Sequence, residues 1–276
     1  MSTTFRTDPY IIAEVGSCHD GSLSMALMLI ESVAKSGADA VKFQIYDSYR
    51  LSIRRNALPF QEKYAHYQLP KNWIPQLQAK AKENKIDLVL SVYDMTNLEA
   101  ASPYADILKV SSFEAADLRL IEACHATGKP VIVSVGLTNA ISILGLKSER
   151  KLSHLDNLRI LHCVSAYPTV TKDLNLSTIK TYGLDGFSDH SRNTLTGALA
   201  VCQGASILEV HVKAYSTKAD SPDAMHSLDP GQLFEYVRNA QLAKLSIGQP
   251  RMGVLPCEEK YAGFKVQFET KERVRS

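Results

Sequence analysis

Short apolar runs recur along the chain, and longer stretches with helical spacing lie between them. The first run is Tyr10–Val15. After Ser22, the residues Leu23, Leu27, Ile30 and Ala34 recur at intervals of three and four. That spacing predicts an amphipathic helix, which Gly37 ends. Further strand candidates are Ala40–Gln44, Asp87–Ser91, Ile107–Val110, Pro130–Ser134, Leu158–Cys163, Asp185–Ser188 and Ile207–His211, eight in all with the first. Helical patterns at Trp73–Asn84, Leu118–Thr127, Thr138–Leu146 and Thr194–Gly204 lie between strands, and Pro230–Leu245 follows the last. Gly37, Gly128, Gly183 and Gly204 each stand just before a strand, where a left-handed residue closes the preceding helix.

Eight strands mostly alternating with helices over about 240 residues predict an α/β protein of the (β/α)8 TIM barrel class. The rival is a doubly wound open sheet. That fold usually carries a Gly-rich phosphate turn, and neither GxGxxG nor GxxxxGK[ST] occurs here. The segment Asp47–Lys71 breaks the rhythm with Arg50, Arg54, Arg55, Lys63, Tyr64, His66 and Tyr67, and reads as a functional loop or a small excursion. Residues 1–250 are expected to form the barrel. Residues 251–276 are expected to form a charged tail, packed or mobile.

Composition narrows the function. The chain has 276 residues with 45% hydrophobic and 22% charged content, as in a soluble globular protein. Its 31 basic and 29 acidic residues leave a formal charge of +2, which gives no electrostatic case for nucleic acid or an anionic membrane. No apolar stretch approaches the roughly 20 residues of a membrane span, and MSTTFRTDPY has no signal-peptide core. Five dispersed cysteines without CxxC spacing fit reduced thiols, so a cytoplasmic location is expected.

A barrel of this class works at the C-terminal ends of its strands. The residues there include Glu14, Lys42, Gln44, Ser91, Lys109, Ser112, Glu114, Ser134, Ser165, Tyr167, Ser188, His190, Glu209 and His211. Two lysines alternating with apolar residues in a barrel mouth need an anionic partner, such as phosphate or carboxylate. Each lysine has a plainer reading, with its stem packed and its amine in water. Glu14 pairs with a lysine or faces the pocket. His190 and His211 end adjacent strands and are expected to hold one divalent metal, a Zn, Mn, Fe or Mg type of ion; the plainer reading is two hydrogen-bonded core histidines. Glu209 shares a strand face with His211 and would join the metal or orient that histidine. His19, His162 and His226 are expected to hydrogen-bond instead.

Seven collinear segments carry a family resemblance: IIAEVGSCHDG, SGADAVKFQ, ILKVSSFEAADLRLIEACHATGKPVIVSVGL, LHCVSAYP, GFSDHS, ILEVHV and SPDAMHSLDP. From about residue 10 to 248 the chain resembles the sialic acid synthase (N-acetylneuraminate synthase) family. The resemblance implies a barrel that joins phosphoenolpyruvate to an open-chain sugar aldehyde, giving a 2-keto-3-deoxy acid and phosphate. It implies His190 and His211 as ligands of a divalent metal, manganese first, with Mg, Co or Zn as alternatives. It places Lys42, Lys109, Ser112 and Ser188 on phosphoenolpyruvate. Gln44, Tyr167 and Asp223 fall around the sugar, with Ser165 close by. Glu14 and Glu114 are the implied proton-transfer groups. A homodimer is the expected assembly.

The departures bear on the acceptor. The family's Asn-His-x-Gly turn reads Cys18-His19-Asp20-Gly21, its Ser-Gly-Glu reads Ser112-Phe113-Glu114, its Ser-Thr-Pro reads Ser91-Val92-Tyr93, and the pair before Tyr-Pro reads Ser165-Ala166. The sequence is also expected to lack the family's C-terminal antifreeze-like domain, leaving its sugar contacts to another chain or to the basic 47–71 loop. Two other readings stand beside the synthase: a metal-dependent pyruvate aldolase or lyase, and a non-catalytic barrel that partners a full-length synthase.

Overall fold

A computed structural model describes residues 5–137, 155–250 and 253–264. Eight parallel strands close into a barrel in sequence order: β1 Tyr10–Glu14, β2 Ala40–Ile45, β3 Asp87–Val92, β4 Ile107–Val110, β5 Val131–Val135, β6 Leu158–Cys163, β7 Gly186–Asp189 and β8 Ile207–His211. β1 pairs with β8 in the register Glu14↔His211, so closure sets the first and last strand ends side by side. The expected TIM barrel is therefore the fold, and strand limits differ from the expected ones by no more than one residue at either end.

The two-residue period of each strand sorts the side chains into two cores. Tyr10, Ile12, Ala40, Val89, Ile107, Ile132, Leu161 and Ile207 form an apolar plug inside the barrel. Their neighbours, such as Ile11, Ala13, Val41, Leu90 and Leu208, point outward against the helices. One step further along the inward face, the residues turn polar: Glu14, Lys42, Ser91, Lys109, Ser134, Ser188 and Glu209 are all buried. The plug thus forms the floor of a polar chamber.

Aspartates just before the strands tie down the opposite end. Asp39 accepts the Ile11 amide, Asp106 the Leu88 amide and Asp185 the Ile160 amide, each at 2.8 Å. Helix starts are capped in the same chemistry, by Ser22 on Met25, Asp94 on Asn97 and Asp117 on Leu120. All four glycines expected before strands take positive φ.

Asp47–Lys71 is not an open loop. It contains two helices, Ser48–Arg54 and Gln61–His66, the first capped by Asp47. Short helices at Met95–Ala101 and Ser177–Tyr182 add to the expected set. The expected helix Thr138–Leu146 lies outside the described residues. The chain divides into compact units Met1–Ser246 and Ile247–Ser276. Within the second, Pro256–Phe264 is a 3-10 stretch, and the Leu255 amide donates to Glu258 at 2.7 Å. Among the described residues no helix is long and apolar enough to cross a membrane.

Candidate active site

A cavity of about 350 Å³ opens at the C-terminal end of the barrel. Its walls carry Glu14, Lys42, Gln44, Lys109, Ser112, Tyr167, Ser188, His190, His211 and Asp223 from the expected set. Ser165 joins it by a 2.9 Å hydroxyl contact with Ser112. The strand period explains the convergence, because residues two apart share the inward face.

Lys42 sits at the centre of a buried ionic cluster. Its ammonium contacts the Glu14 carboxylate and lies 2.8 Å from Glu209 Oε2. Lys109 is 3.9 Å from the same Glu209 oxygen and donates to the Val110 carbonyl at 3.0 Å. The Ser188 hydroxyl donates to Glu209 Oε1 at 2.7 Å. Glu209 therefore joins both lysines. The part expected of it, metal ligand or support for His211, is taken up by that pairing.

Burial pushes the Glu14 carboxyl up to about 7 against the pull of Lys42. Burial also brings the Lys109 ammonium down to about 8, despite Glu209. For Lys42 burial works against the charge, but Glu14 and Glu209 together hold it above its ordinary value. Glu209 likewise overcomes burial through Lys109 and Lys42, and stays below the usual carboxylate range. The chamber therefore holds a carboxyl group that exchanges protons near neutrality beside a cation that loses its proton in mild alkali.

The second wall is imidazole. The His190 Nδ1 donates to the Val164 carbonyl at 2.8 Å, which leaves Nε2 with its lone pair. Burial lowers His190 to about 4 and takes His211 well below the usual imidazole range, so both rings are neutral at pH 7. Their ring centres are 5.5 Å apart. His226, from the loop after β8, packs 4.4 Å from His211. One donor atom each of His211, Asp223 and His226 falls within a 4.8 Å group. Two imidazoles and a carboxylate are a donor set suited to a divalent ion with open positions. The residues present fit such an ion.

Asp223 reaches this group because of Gly16. A Cβ at Gly16 would stand 2.3 Å from Asp223 Oδ2, and its φ is +52°. In the space that glycine leaves, the Ser17 amide donates to Asp223 Oδ2 at 2.7 Å. The Asp223 amide in turn donates to the Ser17 hydroxyl at 3.0 Å. His226 and His211 hold the Asp223 carboxyl below its usual range, outweighing burial.

Glu114 is placed differently from the other expected residues. It does not line the cavity. Arg55 donates to both its oxygens at 3.0 Å, and the Ser111 hydroxyl donates to it as well. Arg55 does line the cavity, 4.4 Å from the Phe113 ring centre and 5.3 Å from that of Tyr93. His162 points out of the barrel and shares a hydrogen bond with the Leu174 carbonyl at 2.8 Å, and His19 accepts the Gly21 amide at 3.1 Å. Both follow the expected hydrogen-bonding role. His226 does not, since among the described residues neither ring nitrogen has a hydrogen-bond partner.

The NeuB family model matches residues 29–252. This chain belongs to the NeuB family. It is 30% identical over 276 residues to the pseudaminic acid synthase of Campylobacter jejuni, covering 93% of this chain and 79% of that one. It is 30% identical over 268 residues to the N-acetylneuraminate-9-phosphate synthase of Homo sapiens, covering 90% and 74%. Among solved structures, the N-acetylneuraminic acid (sialic acid) synthetase of Leptospira borgpetersenii serovar Hardjo-bovis, in complex with citrate, superposes with a TM-score of 0.83 at 28% identity, covering 94% and 91%.

NeuB membership agrees with the resemblance carried by the seven segments. Within this NeuB chain, sequence reasoning missed Arg55 and His226 as parts of the site. Arg55 carried a weak signal, as one cation among several in a segment that broke the strand–helix rhythm. His226 was expected to hydrogen-bond, although it stands in SPDAMHSLDP, one of the seven segments that carry the resemblance.

Proposed function

We propose that this chain condenses phosphoenolpyruvate with an open-chain sugar aldehyde, giving a 2-keto-3-deoxy acid of the sialic-acid-like nonulosonate type and inorganic phosphate. One observation carries the reading: two buried lysines and a cluster of buried imidazoles line one cavity. Ammonium groups suit the phosphate and carboxylate of phosphoenolpyruvate, and imidazoles suit a divalent ion. The names of the NeuB-family relatives point to the same product class.

Lys42 and Lys109 take the anionic ends of phosphoenolpyruvate, with Ser112, Ser165 and Ser188 as hydroxyl donors. His190 and His211 hold a divalent ion, manganese first. When bound, that ion supplies Lewis acidity at the aldehyde oxygen. Gln44, Tyr167 and Asp223 orient the sugar. The enol carbon then attacks the aldehyde carbon, water adds to the former enol C2, and phosphate leaves with the bridging oxygen.

Glu14 is the proton-transfer group, since its carboxyl faces the cavity and titrates near neutrality. Glu114 instead positions Arg55, which occupies its oxygens.

A panel of aldoses and N-acylamino sugars, offered with phosphoenolpyruvate and manganese, tests the reading through phosphate release and product mass. Phosphate released in step with a condensed acid is the expected result. No release with any acceptor would overturn it. A condensed product from pyruvate alone would favour a pyruvate aldolase or lyase instead. A purified chain that binds neither metal nor phosphoenolpyruvate would favour a non-catalytic partner of a full-length synthase.

A further inference from the structure

His226 is 1% exposed, yet among the described residues neither of its ring nitrogens has a hydrogen-bond partner, and the same holds for Nδ1 of the buried His211. Buried polar groups are almost always satisfied, so three bare nitrogens on two adjoining rings call for a ligand. His226 Nε2 lies 3.4 Å from Asp223 Oδ1. That contact does not meet hydrogen-bond geometry, and it offers nothing to His211.

The loop that carries His226 is fixed rather than loose. The His226 amide donates to the Asp223 carbonyl at 3.3 Å, and the Ser227 hydroxyl donates to the same carbonyl at 2.7 Å. Lys213 donates to the Ala224 carbonyl at 2.8 Å, and the Leu228 amide donates to the His211 carbonyl at 2.8 Å. The turn therefore sets Asp223 and His226 on one side, beside the end of β8. Their donor atoms and one of His211 form the 4.8 Å group. Nitrogen lone pairs and a carboxylate oxygen brought together in a preorganised, buried place answer the chemistry of a divalent cation.

We infer that His226 is a direct ligand of the metal, sharing it with His211 and Asp223, and that His190, which lies outside that group with its ring centre 5.5 Å from that of His211, closes on the ion as the third imidazole. The inference rests on the reading that this cavity holds a divalent ion. It gives the site a nitrogen-rich character. Imidazole favours Co(II), Zn(II) and Fe(II), whereas Mg(II) and Mn(II) are suited by oxygen donors. His226 would therefore set which metal this chain retains, as well as how tightly.

The test is metal binding by the whole metal-free chain without substrate. Co(II) and Mn(II) are titrated calorimetrically into wild type, His226→Ala and His226→Phe, and thermal melting of the metal-free forms checks the fold. Both variants should lose at least tenfold in Co(II) affinity and less in Mn(II), with a shifted Co(II) visible spectrum. Wild-type affinity and spectrum in both variants would overturn the inference. Where neither variant folds, pulsed electron paramagnetic resonance of the Mn(II)-loaded wild type decides it. Three coupled imidazoles are expected, and two would contradict the assignment. The two readings also separate. Condensation with unchanged metal affinity in the variants removes this inference alone. A three-imidazole ion without phosphate release removes only the condensation.

Discussion

Lys42 Nζ lies 2.8 Å from Glu209 Oε2, and both side chains are almost wholly buried. Glu209 also stands 3.9 Å from Lys109, so a single carboxylate serves two cations inside the barrel mouth. Removing one member of a buried ion pair leaves a charge without compensation. Glu209→Gln keeps the shape and the contact with the Ser188 hydroxyl but removes the charge. The expected cost is about 3 to 5 kcal/mol, read from urea denaturation. A loss below about 1 kcal/mol would show that the lysines do not depend on Glu209.

Alkali should weaken the proposed condensation through Lys109. Burial brings this ammonium down to about 8, so rising pH takes its proton while Lys42 keeps its own. Deprotonation removes a positive charge from the place given to phosphoenolpyruvate. The sign is therefore a fall in kcat/KM for phosphoenolpyruvate above about pH 8, with full value below it. Lys109→Arg should carry its charge through that range and lose the fall. A profile that stays flat to pH 10 in the wild type would remove Lys109 from this role.

The approach of Asp223 to the Ser17 amide depends on Gly16. Gly16→Ala places a methyl group where the Asp223 carboxylate now lies, at a φ of +52°. The backbone strain costs about 1 to 2 kcal/mol, and displacement of Asp223 adds a functional loss. Acceptor KM should rise at least tenfold while KM for phosphoenolpyruvate changes little. Equal changes in both would show a general collapse of the cavity instead.

Much of this was legible because a parallel barrel repeats one rule. Residues two apart share a face, so Lys42, Lys109, Ser188 and Glu209 could be placed from the strands alone. The ends of β7 and β8 brought His190 and His211 together by the same rule. Arg55 and His226 escaped it. Each is positioned by turns, caps and a few long-range hydrogen bonds, which leave no period in the sequence. The helices Met95–Ala101 and Ser177–Tyr182 escaped for a related reason, being about two turns long and too short to display an apolar stripe.

Arg55 binds the Ser48–Arg54 segment to the strand-four turn through Glu114. Its guanidinium is packed near the Phe113 and Tyr93 rings, which a lysine would not reproduce. Arg55→Ala and Arg55→Lys should both lower stability, the former by about 1 to 3 kcal/mol. Hydrogen exchange should speed up over residues 48–66 and stay unchanged in the barrel strands. Unchanged exchange over that segment would mean that the contact with Glu114 does not hold it.

The central claim is a carbon–carbon bond made from phosphoenolpyruvate, and carbon-13 at its C3 reports that bond directly. With manganese and an accepted sugar, the labelled carbon should appear by nuclear magnetic resonance as the C3 methylene beside the C2 keto carbon of a 2-keto-3-deoxy acid, one per phosphate released. Label that remains in phosphoenolpyruvate, or that appears only as the methyl group of pyruvate, would contradict the account.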